Sequence, residues 1–170
     1  DNAPTITSGA SVNVAENTTA VTTVTATDAD LPAQTLTYTI TGGADAALFS
    51  INGTTGALSF LTAPDYDIAG DADADNVYDV VVEVSDGSFT DTQTIAVTVT
   101  PANDNAPTIT SGASVNVAEN TTPVTTVTAT DADLPAQSLT YAITGGADAA
   151  LFAINATTGA LSFLTAPDFD

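Results

Sequence analysis

Hydrophobic and polar residues alternate along most of the chain, and the alternation is most regular in two long runs. Two triplets of β-branched residues recur at every second position: Val80, Val82 and Val84, then Ile95, Val97 and Val99. Because successive side chains of a strand point to opposite faces, each triplet shares one face. We therefore predict that the two triplets line a core between packed sheets.

Seven alternating or β-branched runs, each bounded by Gly, Pro, Asn or Asp, are predicted strands of the first hundred residues. They span residues 5–8 with 12–15, 20–27, 36–40, 49–52, 57–60, 78–85 and 90–100. Further core positions are Tyr38, Ile40, Phe49, Ile51, Leu58 and Phe60, while Thr90, Thr92, Thr94, Thr98 and Thr100 are predicted to face water. So many short strands predict an all-β fold, a Greek-key sandwich of immunoglobulin-like architecture.

The chain repeats itself with an offset of 103 residues. Residues 1–67 recur as residues 104–170 with six mismatches, so the sequence is a piece of a tandem array. We expect residues 1–103 to form a complete domain and residues 104–170 to supply the first five strands of a second, truncated copy. The two missing strands would come from chain beyond these residues or from a neighbouring copy that donates them.

The composition excludes several classes of function. The chain has 21 acidic residues, a net charge of −21, and no Lys, Arg, His or Cys. Nucleic acid is excluded as a partner because phosphate binding requires cationic side chains. No apolar run reaches the ~20 residues of a membrane-spanning helix. We predict that the protein is not an enzyme, since it has no His, Cys or Lys to serve as a catalytic base or nucleophile.

Acidic residues cluster where predicted strands end. The clusters lie at residues 15–17, 28–30, 65–67, 71–75 and 103–105. Calcium takes six to eight oxygen ligands, which such loops can supply, although Asp and Asn also favour turns for local reasons. Residues 71–75 begin like an EF-hand loop but lack its later Gly and Glu, which leaves two readings: a solvated hairpin loop or a weaker, additional calcium site.

The order of these motifs resembles that of cadherin domains, and more closely the cadherin-like repeats of large bacterial surface adhesins. The matching features, in chain order, are an x-E-N motif at Glu16, D-x-D at Asp28 and Asp30, L-x-Y-x-I at 36–40, F-x-I at 49–51, T-G-x-L at 55–58, an acidic pair at Asp65 and Asp67, a V-x-V strand ending at Asp86, and the linker N-D-N-x-P at 103–107. The chain departs from the family at Pro101, which replaces a linker Asp, and at Asp67, which replaces a Glu.

The resemblance implies that Ca²⁺ ions lie between successive domains. The implied ligands of the junction between the two copies are Glu16, Asp65, Asp67, Asn103, Asp104, Asn105, Asp131 and Asp133. An upstream junction would use Asp1, Asn2, Asp28, Asp30 and Asp86, and a downstream one Glu119, Asp168 and Asp170. No other cofactor is implied.

The resemblance also implies an extracellular role, at a cell surface or in a secreted protein. We expect calcium to stiffen the repeats of a long adhesive protein or filament that supports cell adhesion or biofilm cohesion. The expected partners are neighbouring repeats, with identical chains or a surface polysaccharide as further partners. A polysaccharide-binding module is the alternative function, which exposed aromatic side chains in a groove would favour.

Overall fold

Nearly all of the predicted strands form in the computed structural model, which describes residues 2–170. The chain divides into two units, residues 1–102 and 103–170. The strands of the first unit are β1 (Thr5–Ile6), β2 (Ser11–Ala15), β3 (Ala20–Thr23), β4 (Ala26–Thr27), β5 (Thr37–Gly42), β6 (Phe49–Ile51), β7 (Ala57–Phe60), β8 (Val77–Ser85) and β9 (Thr90–Thr100).

Two sheets face each other in the first unit. One has the strand order β2-β9-β8-β5 and the other β3-β7-β6, while β1 and β4 pair separately. Strand β2 runs parallel to β9, and the remaining pairs are antiparallel. This all-β arrangement confirms the predicted fold class. The long hairpin β8–β9 lies at the centre of the larger sheet, so both of its edges are paired.

The core lies where the alternation predicts it. All six triplet residues are at most 1% exposed, and Tyr38, Phe49, Leu58 and Phe60 are also buried. Ile40 and Ile51 differ from the prediction because they are only partly buried at the margin of this core. Thr98 and Thr100 are half-buried rather than exposed, since β9 is covered by a strand on each side.

Tyr78 of β8 is buried and joins the two sheets. Its ring lies 5.1 Å from that of Phe60, edge to face, and 6.4 Å from that of Phe49. Its hydroxyl accepts a hydrogen bond from the backbone N–H of Gly70 at 3.1 Å. A buried tyrosine needs such a polar partner, so this bond allows the largest side chain of β8 to enter the core.

The second unit keeps one of these sheets. Its strands are β10 (Thr108–Ile109), β11 (Pro123–Thr126), β12 (Ala129–Thr130), β13 (Phe152–Ile154) and β14 (Ala160–Phe163). The sheet β11-β14-β13 repeats the order of β3-β7-β6, and β10 pairs with β12 as β1 pairs with β4. Residues 114–118 and 140–145, the counterparts of β2 and β5, form no strand. They lack the neighbours against which β2 and β5 form their ladders.

The described helical segments are two single 3-10 turns, Ala46–Leu48 and Ala149–Leu151. Within residues 2–170 no helix is long and apolar enough to cross a membrane.

Candidate metal centre

Three carboxylates meet at one end of the first unit, which we call the N-terminal pole (Asn2, Asp28, Asp30 and Asp86). Asp28 and Asp30 follow β4, and Asp86 follows β8, so the ends of two strands bring them together. One oxygen of each carboxylate lies within 4.8 Å of the others. Two charges at that separation repel by about 3 kcal/mol at an effective dielectric of about 20. A cation placed among them would remove this repulsion.

Hydrogen bonds fix the pole without neutralising it. The backbone N–H of Asn2 donates to both carboxylate oxygens of Asp30 at 3.0 and 2.9 Å, and its side-chain amide donates at 2.8 Å. The N–H of Asp30 donates to Asp28 at 2.9 Å. Backbone N–H groups of Ser88 and Phe89 donate to Oδ1 of Asp86 at 2.6 and 2.7 Å.

Two oxygens at this pole are orphaned. The Oδ2 atoms of Asp28 and Asp86 are buried and have no hydrogen-bond partner among the described residues. A buried carboxylate oxygen without a donor is costly, and a chain without Lys, Arg or His has no cationic side chain to offer it. The pole therefore fits a hard cation with oxygen ligands, as Ca²⁺ is, better than zinc, which prefers His and Cys.

A second acidic group, the C-terminal pole, contains Glu16, Asp65 and Asp67. Their ligand atoms also lie within 4.8 Å of one another. Glu16 directly follows β2 and is only 4% exposed. Its two oxygens accept the backbone N–H groups of Tyr66, at 2.7 Å, and Ala102. Glu16 therefore ties the acidic loop to the segment that leaves β9.

The two poles lie at opposite ends of the larger sheet. Asp86 follows the end of β8 where Ser85 pairs with Thr90, and Glu16 follows Ala15, which pairs with Thr100. Ten residue steps along β9 separate those two levels. At ~3.3 Å per residue the first unit holds its poles roughly 30 Å apart.

The second unit repeats the part of the N-terminal pole that Asn2, Asp28 and Asp30 form in the first unit. The backbone N–H and the side-chain amide of Asn105 donate to Oδ1 of Asp133 at 3.0 and 2.9 Å, and the N–H of Asp133 donates to Asp131 at 3.1 Å. Burial acts to raise the pKa of Asp133, but the hydrogen bonds from Asn105 and Asp104 outweigh it, so the pKa is lowered. The hydrogen bonds thus favour the charged form of Asp133.

The other predicted ligands of the second unit each take part in a hydrogen bond within that unit. Asn103 donates to the Gln137 side chain at 2.6 Å, and Asp104 accepts from Asn105 at 3.1 Å. Glu119 is exposed and accepts the N–H of Phe169 at 3.1 Å, and Asp168 accepts the N–H of Asp170 at 3.3 Å. These two contacts repeat the local geometry of the C-terminal pole. Asp1 lies outside the described residues.

The loop at 71–75 also brings three carboxylates within 4.8 Å of one another, and its own backbone holds the first of them. Asp71 is buried and accepts the N–H groups of Asp75 and Asn76 at 2.8 and 3.2 Å. Burial would raise the pKa of Asp71, but these N–H groups lower it overall. The pKa of Asp73 is raised, chiefly by its hydrogen bond to Asp71. The loop is thus held by Asp71, and both sequence readings of it remain open.

The sequence did not indicate two polar positions of the repeat: the Gln that follows the D-x-D motif, present in both copies, and Asp45. Gln34 and Gln137 each donate a side-chain amide to the second Asp of the D-x-D motif, at 3.3 and 3.0 Å. Asp45, which looks like an ordinary turn residue, is 5% exposed and accepts two backbone N–H groups. No sequence signal indicates either position, because nearly every residue recurs between the two copies.

Comparisons with known proteins agree with this architecture. The profile of the Cadherin domain family matches residues 10–100. The human protein Protocadherin Fat 1 is 33% identical over 132 residues, which cover 73% of this chain and 3% of that protein. The chain thus spans a small fraction of that relative's length.

Solved structures of cadherin domains superpose on almost the whole chain. Extracellular cadherin domains 3–6 of Protocadherin Gamma B2 have a TM-score of 0.71 and 26% identity, over 99% of this chain and 44% of that one. Domains EC22–24 of mouse Cadherin-23 have a TM-score of 0.75 at 24% identity, over 99% of this chain and 56% of that one, which is a likeness of fold. Because the family profile spans more than half of its 170 residues, the chain belongs to the cadherin domain family.

Proposed function

We propose that this chain is a calcium-stiffened repeat of a long extracellular adhesive protein. Membership in the cadherin family implies an extracellular, adhesion-type repeat. Calcium binding is a more specific proposal, and it rests on one observation. The Oδ2 atoms of Asp28 and Asp86, which lie beside Asp30, are buried and have no hydrogen-bond partner among the described residues. The following steps derive what an ion at such a pole would do.

The donor set of the N-terminal pole suits calcium. It offers carboxylate oxygens, and calcium also accepts amide and backbone carbonyl oxygens and water to reach six to eight ligands. Each further acid brought to the same point adds repulsion, and this chain carries a net charge of −21 with no internal cation. A divalent ion would therefore stabilise the pole in two ways. It would reduce the repulsion between the carboxylates, and it would give the Oδ2 atoms of Asp28 and Asp86 a partner.

We further propose that one junction combines a C-terminal pole with the N-terminal pole of the next repeat. Glu16, Asp65 and Asp67 would supply the first half. The second half would come from Asn103, Asp104, Asn105, Asp131 and Asp133. Two local observations support this proposal. The second unit reproduces the hydrogen bonds that link Asn2, Asp28 and Asp30 in the first unit, and Glu16 accepts a hydrogen bond from the segment that leads into the linker.

The same arrangement explains a mechanical role. A rigid sheet between two acidic poles acts as a spacer, and calcium at each linker would prevent flexing. The upstream and downstream junctions would use the remaining acidic ligands of each unit. Sixty-one of 67 aligned positions are identical between the copies (67 − 6), which suits length extension more than separate ligand specificities. We propose a bacterial surface adhesin or filament with a role in cell or biofilm cohesion as the setting.

The alternative of a polysaccharide-binding module gains nothing from the four aromatic side chains in the core of the first unit. Phe49, Phe60 and Tyr78 form a buried cluster, and Tyr38 is buried against the same core. Side chains committed to packing cannot stack on a sugar ring.

Calcium titration by calorimetry and by thermal unfolding tests the proposal. Asp86→Asn retains an Oδ1 acceptor for Ser88 and Phe89 but removes the charge, and Glu83→Gln removes a charge three residues away on β8 as the matched control. We expect calcium to raise the unfolding temperature of the parent chain and of Glu83→Gln, and to raise that of Asp86→Asn less. Equal calcium responses of the two variants would refute a site at this pole.

A further inference from the structure

The sequence contains one Asn-Gly pair, Asn52–Gly53, and the second copy has Ala156 after Asn155 at the same place. Each pair lies in the turn of a hairpin, β6–β7 in the first unit and β13–β14 in the second. Asn52, Gly53 and Asn155 are exposed. Residues 51–60 differ from their counterparts at this one position. The two turns therefore form a natural pair in which glycine is exchanged for alanine.

The hydrogen bonds of the two turns are the same. Oδ1 of Asn52 accepts the backbone N–H groups of Thr54 and Thr55, both at 3.0 Å. Oδ1 of Asn155 accepts the two equivalent N–H groups, also at 3.0 Å. The main-chain carbonyl of each asparagine accepts the N–H of the glycine four residues later at 2.9 Å. A difference in reactivity between the two asparagines would therefore come from Gly53 and not from the fold of the turn.

The first turn prepares the side chain of Asn52 for attack by the neighbouring backbone nitrogen. The two N–H groups on Oδ1 polarise the amide carbonyl, and they would stabilise the negative charge that develops on this oxygen when a nucleophile adds to Cγ. The N–H of Gly53 has no acceptor among residues 2–170, so its nitrogen is open to deprotonation by solvent. Glycine also has no Cβ to hinder closure of a ring at this point.

We propose that Asn52 is a site of spontaneous deamidation, with water as the co-reactant. The backbone nitrogen of Gly53 bonds to Cγ of Asn52 and gives up its proton, and the side-chain amide leaves with that proton as ammonia. The product is a five-membered cyclic imide. Water then opens one of its two C–N bonds. Cleavage at Cγ gives aspartate, and cleavage at the main-chain carbonyl gives isoaspartate.

The two products have different effects on the fold. Aspartate keeps an Oδ1 acceptor for Thr54 and Thr55, whereas isoaspartate adds a methylene group to the main chain between residues 52 and 53. The carbonyl of Gly53 accepts the N–H of Tyr38 at 3.0 Å, which links this turn to β5 of the other sheet. We expect isoaspartate to break that link, because the lengthened main chain displaces the Gly53 carbonyl.

The single Asp-Gly pair of the chain, Asp86–Gly87, is protected from the same reaction. The N–H of Gly87 donates to Oγ of Ser85 at 3.1 Å, so its nitrogen is not open in the way that the nitrogen of Gly53 is. An ionised carboxylate is also a weaker electrophile than an amide. We therefore expect the reaction to be selective for Asn52.

The test incubates the full 170-residue chain in neutral buffer and follows each asparagine by peptide mapping and mass spectrometry. We expect Asn52 to convert at least about tenfold faster than Asn155 in the same sample, because Ala156 has a Cβ. Gly53→Ala should slow Asn52 to the rate of Asn155, and Ala156→Gly should raise Asn155 to the rate of Asn52. The natural alanine of the second copy shows that the turn accepts either residue. Equal rates in the parent chain, or no acceleration by Ala156→Gly, would overturn the proposal.

A peptide of residues 49–60 gives the rate of the same sequence without the fold. We expect the folded chain to convert Asn52 within about a hundredfold of that rate, because the turn leaves the nitrogen of Gly53 open. A slower rate would mean that the fold suppresses the reaction, which would also overturn the proposal.

The isoaspartate fraction, labelled with an isoaspartyl-specific methyltransferase, tests the structural consequence. Amide exchange at Tyr38 should be at least about tenfold faster in this fraction than in the parent chain. Unchanged exchange at Tyr38 would contradict the predicted loss of the link between the sheets.

Discussion

Asp45 and Asp79 are hydrogen-bonded in both directions. The N–H of Asp79 donates to Oδ2 of Asp45 at 2.8 Å, and the N–H of Asp45 donates to the carbonyl of Asp79 at 3.0 Å. The Asp45 carboxylate also receives the N–H of Ala72. One buried acid therefore fastens the turn after β5 to the start of β8.

This relationship predicts different effects for the same substitution in the two copies. Asp45→Ala leaves two N–H groups without their acceptor, and we expect it to lower the free energy of unfolding of the first unit by about 2–4 kcal/mol. Asp148→Ala removes an exposed carboxylate, so we expect a change below about 0.5 kcal/mol. Urea unfolding of both variants measures the difference. Equal losses would show that Asp45 has no special role.

Tyr78 gives a second prediction, because its ring and hydroxyl have separate functions. Tyr78→Phe keeps the packing on Phe60 but leaves the N–H of Gly70 without its acceptor, which should cost about 1 kcal/mol. Tyr78→Ala also empties part of the core and should cost about 3–5 kcal/mol. Thermal unfolding followed by near-ultraviolet circular dichroism distinguishes the two variants. Similar losses of stability in both would mean that the ring contributes little.

Much of the fold could be predicted from alternation alone. A period of two identifies the buried faces of β8 and β9, because each strand has one face in the core and one outside. The 3-10 turns were not predictable, since Ala46–Leu48 is short and has no capping signal. Residues 114–118 and 140–145 could not be assigned correctly from their sequence, since whether they form strands depends on a neighbour that is distant along the chain.

The carboxylates of the candidate site could be predicted from the sequence, whereas the polar residues that support them could not. The motifs identify Asp28, Asp30 and Asp86, which the structure brings together at one pole. The polar support around them was missed, because Gln34 contributes through a contact with Asp30 that no local pattern requires. The combination of poles from successive repeats stays a prediction.

The Asp71 loop predicts a pH dependence. The folded pKa of Asp71 lies below its ordinary value of 3.8, since backbone N–H groups outweigh its burial. A carboxyl with a lowered pKa stabilises the fold above the unfolded-state value, and that contribution is lost as the pH falls through the folded value. In chelator, Asp71→Asn should therefore unfold at a lower temperature than the parent near neutral pH, and this difference should close as the pH falls through the folded pKa of Asp71. If the difference in unfolding temperature persists at low pH, the substitution acts through the packing of the side chain and not through its charge.

The proposed junction predicts that Asp104 matters more for calcium than Asp148. Both are exposed aspartates of the second unit, but Asp104 lies in the linker motif. We expect Asp104→Ala to weaken calcium binding by at least about tenfold and Asp148→Ala to leave it unchanged. Calorimetric titrations that coincide for the two variants would exclude Asp104 as a ligand.

Removal of calcium should loosen the linker without unfolding the first unit. Its core of Val80, Val82, Ile95 and Val97 is independent of the poles, so the circular dichroism of the strands should remain after chelation. Small-angle X-ray scattering should show a broader distribution of interatomic distances, because the linker acids repel one another once the ion is gone. Profiles that overlay with and without chelator would contradict this role for calcium.

The most direct test of the central claim is a crystal structure of the chain grown with calcium and measured for anomalous scattering. We predict an anomalous peak at the N-terminal pole, with Oδ2 of Asp28 and Oδ2 of Asp86 both within about 2.3–2.6 Å of the ion. At millimolar calcium, a pole occupied only by water, with no anomalous peak among Asp28, Asp30 and Asp86, would contradict the account.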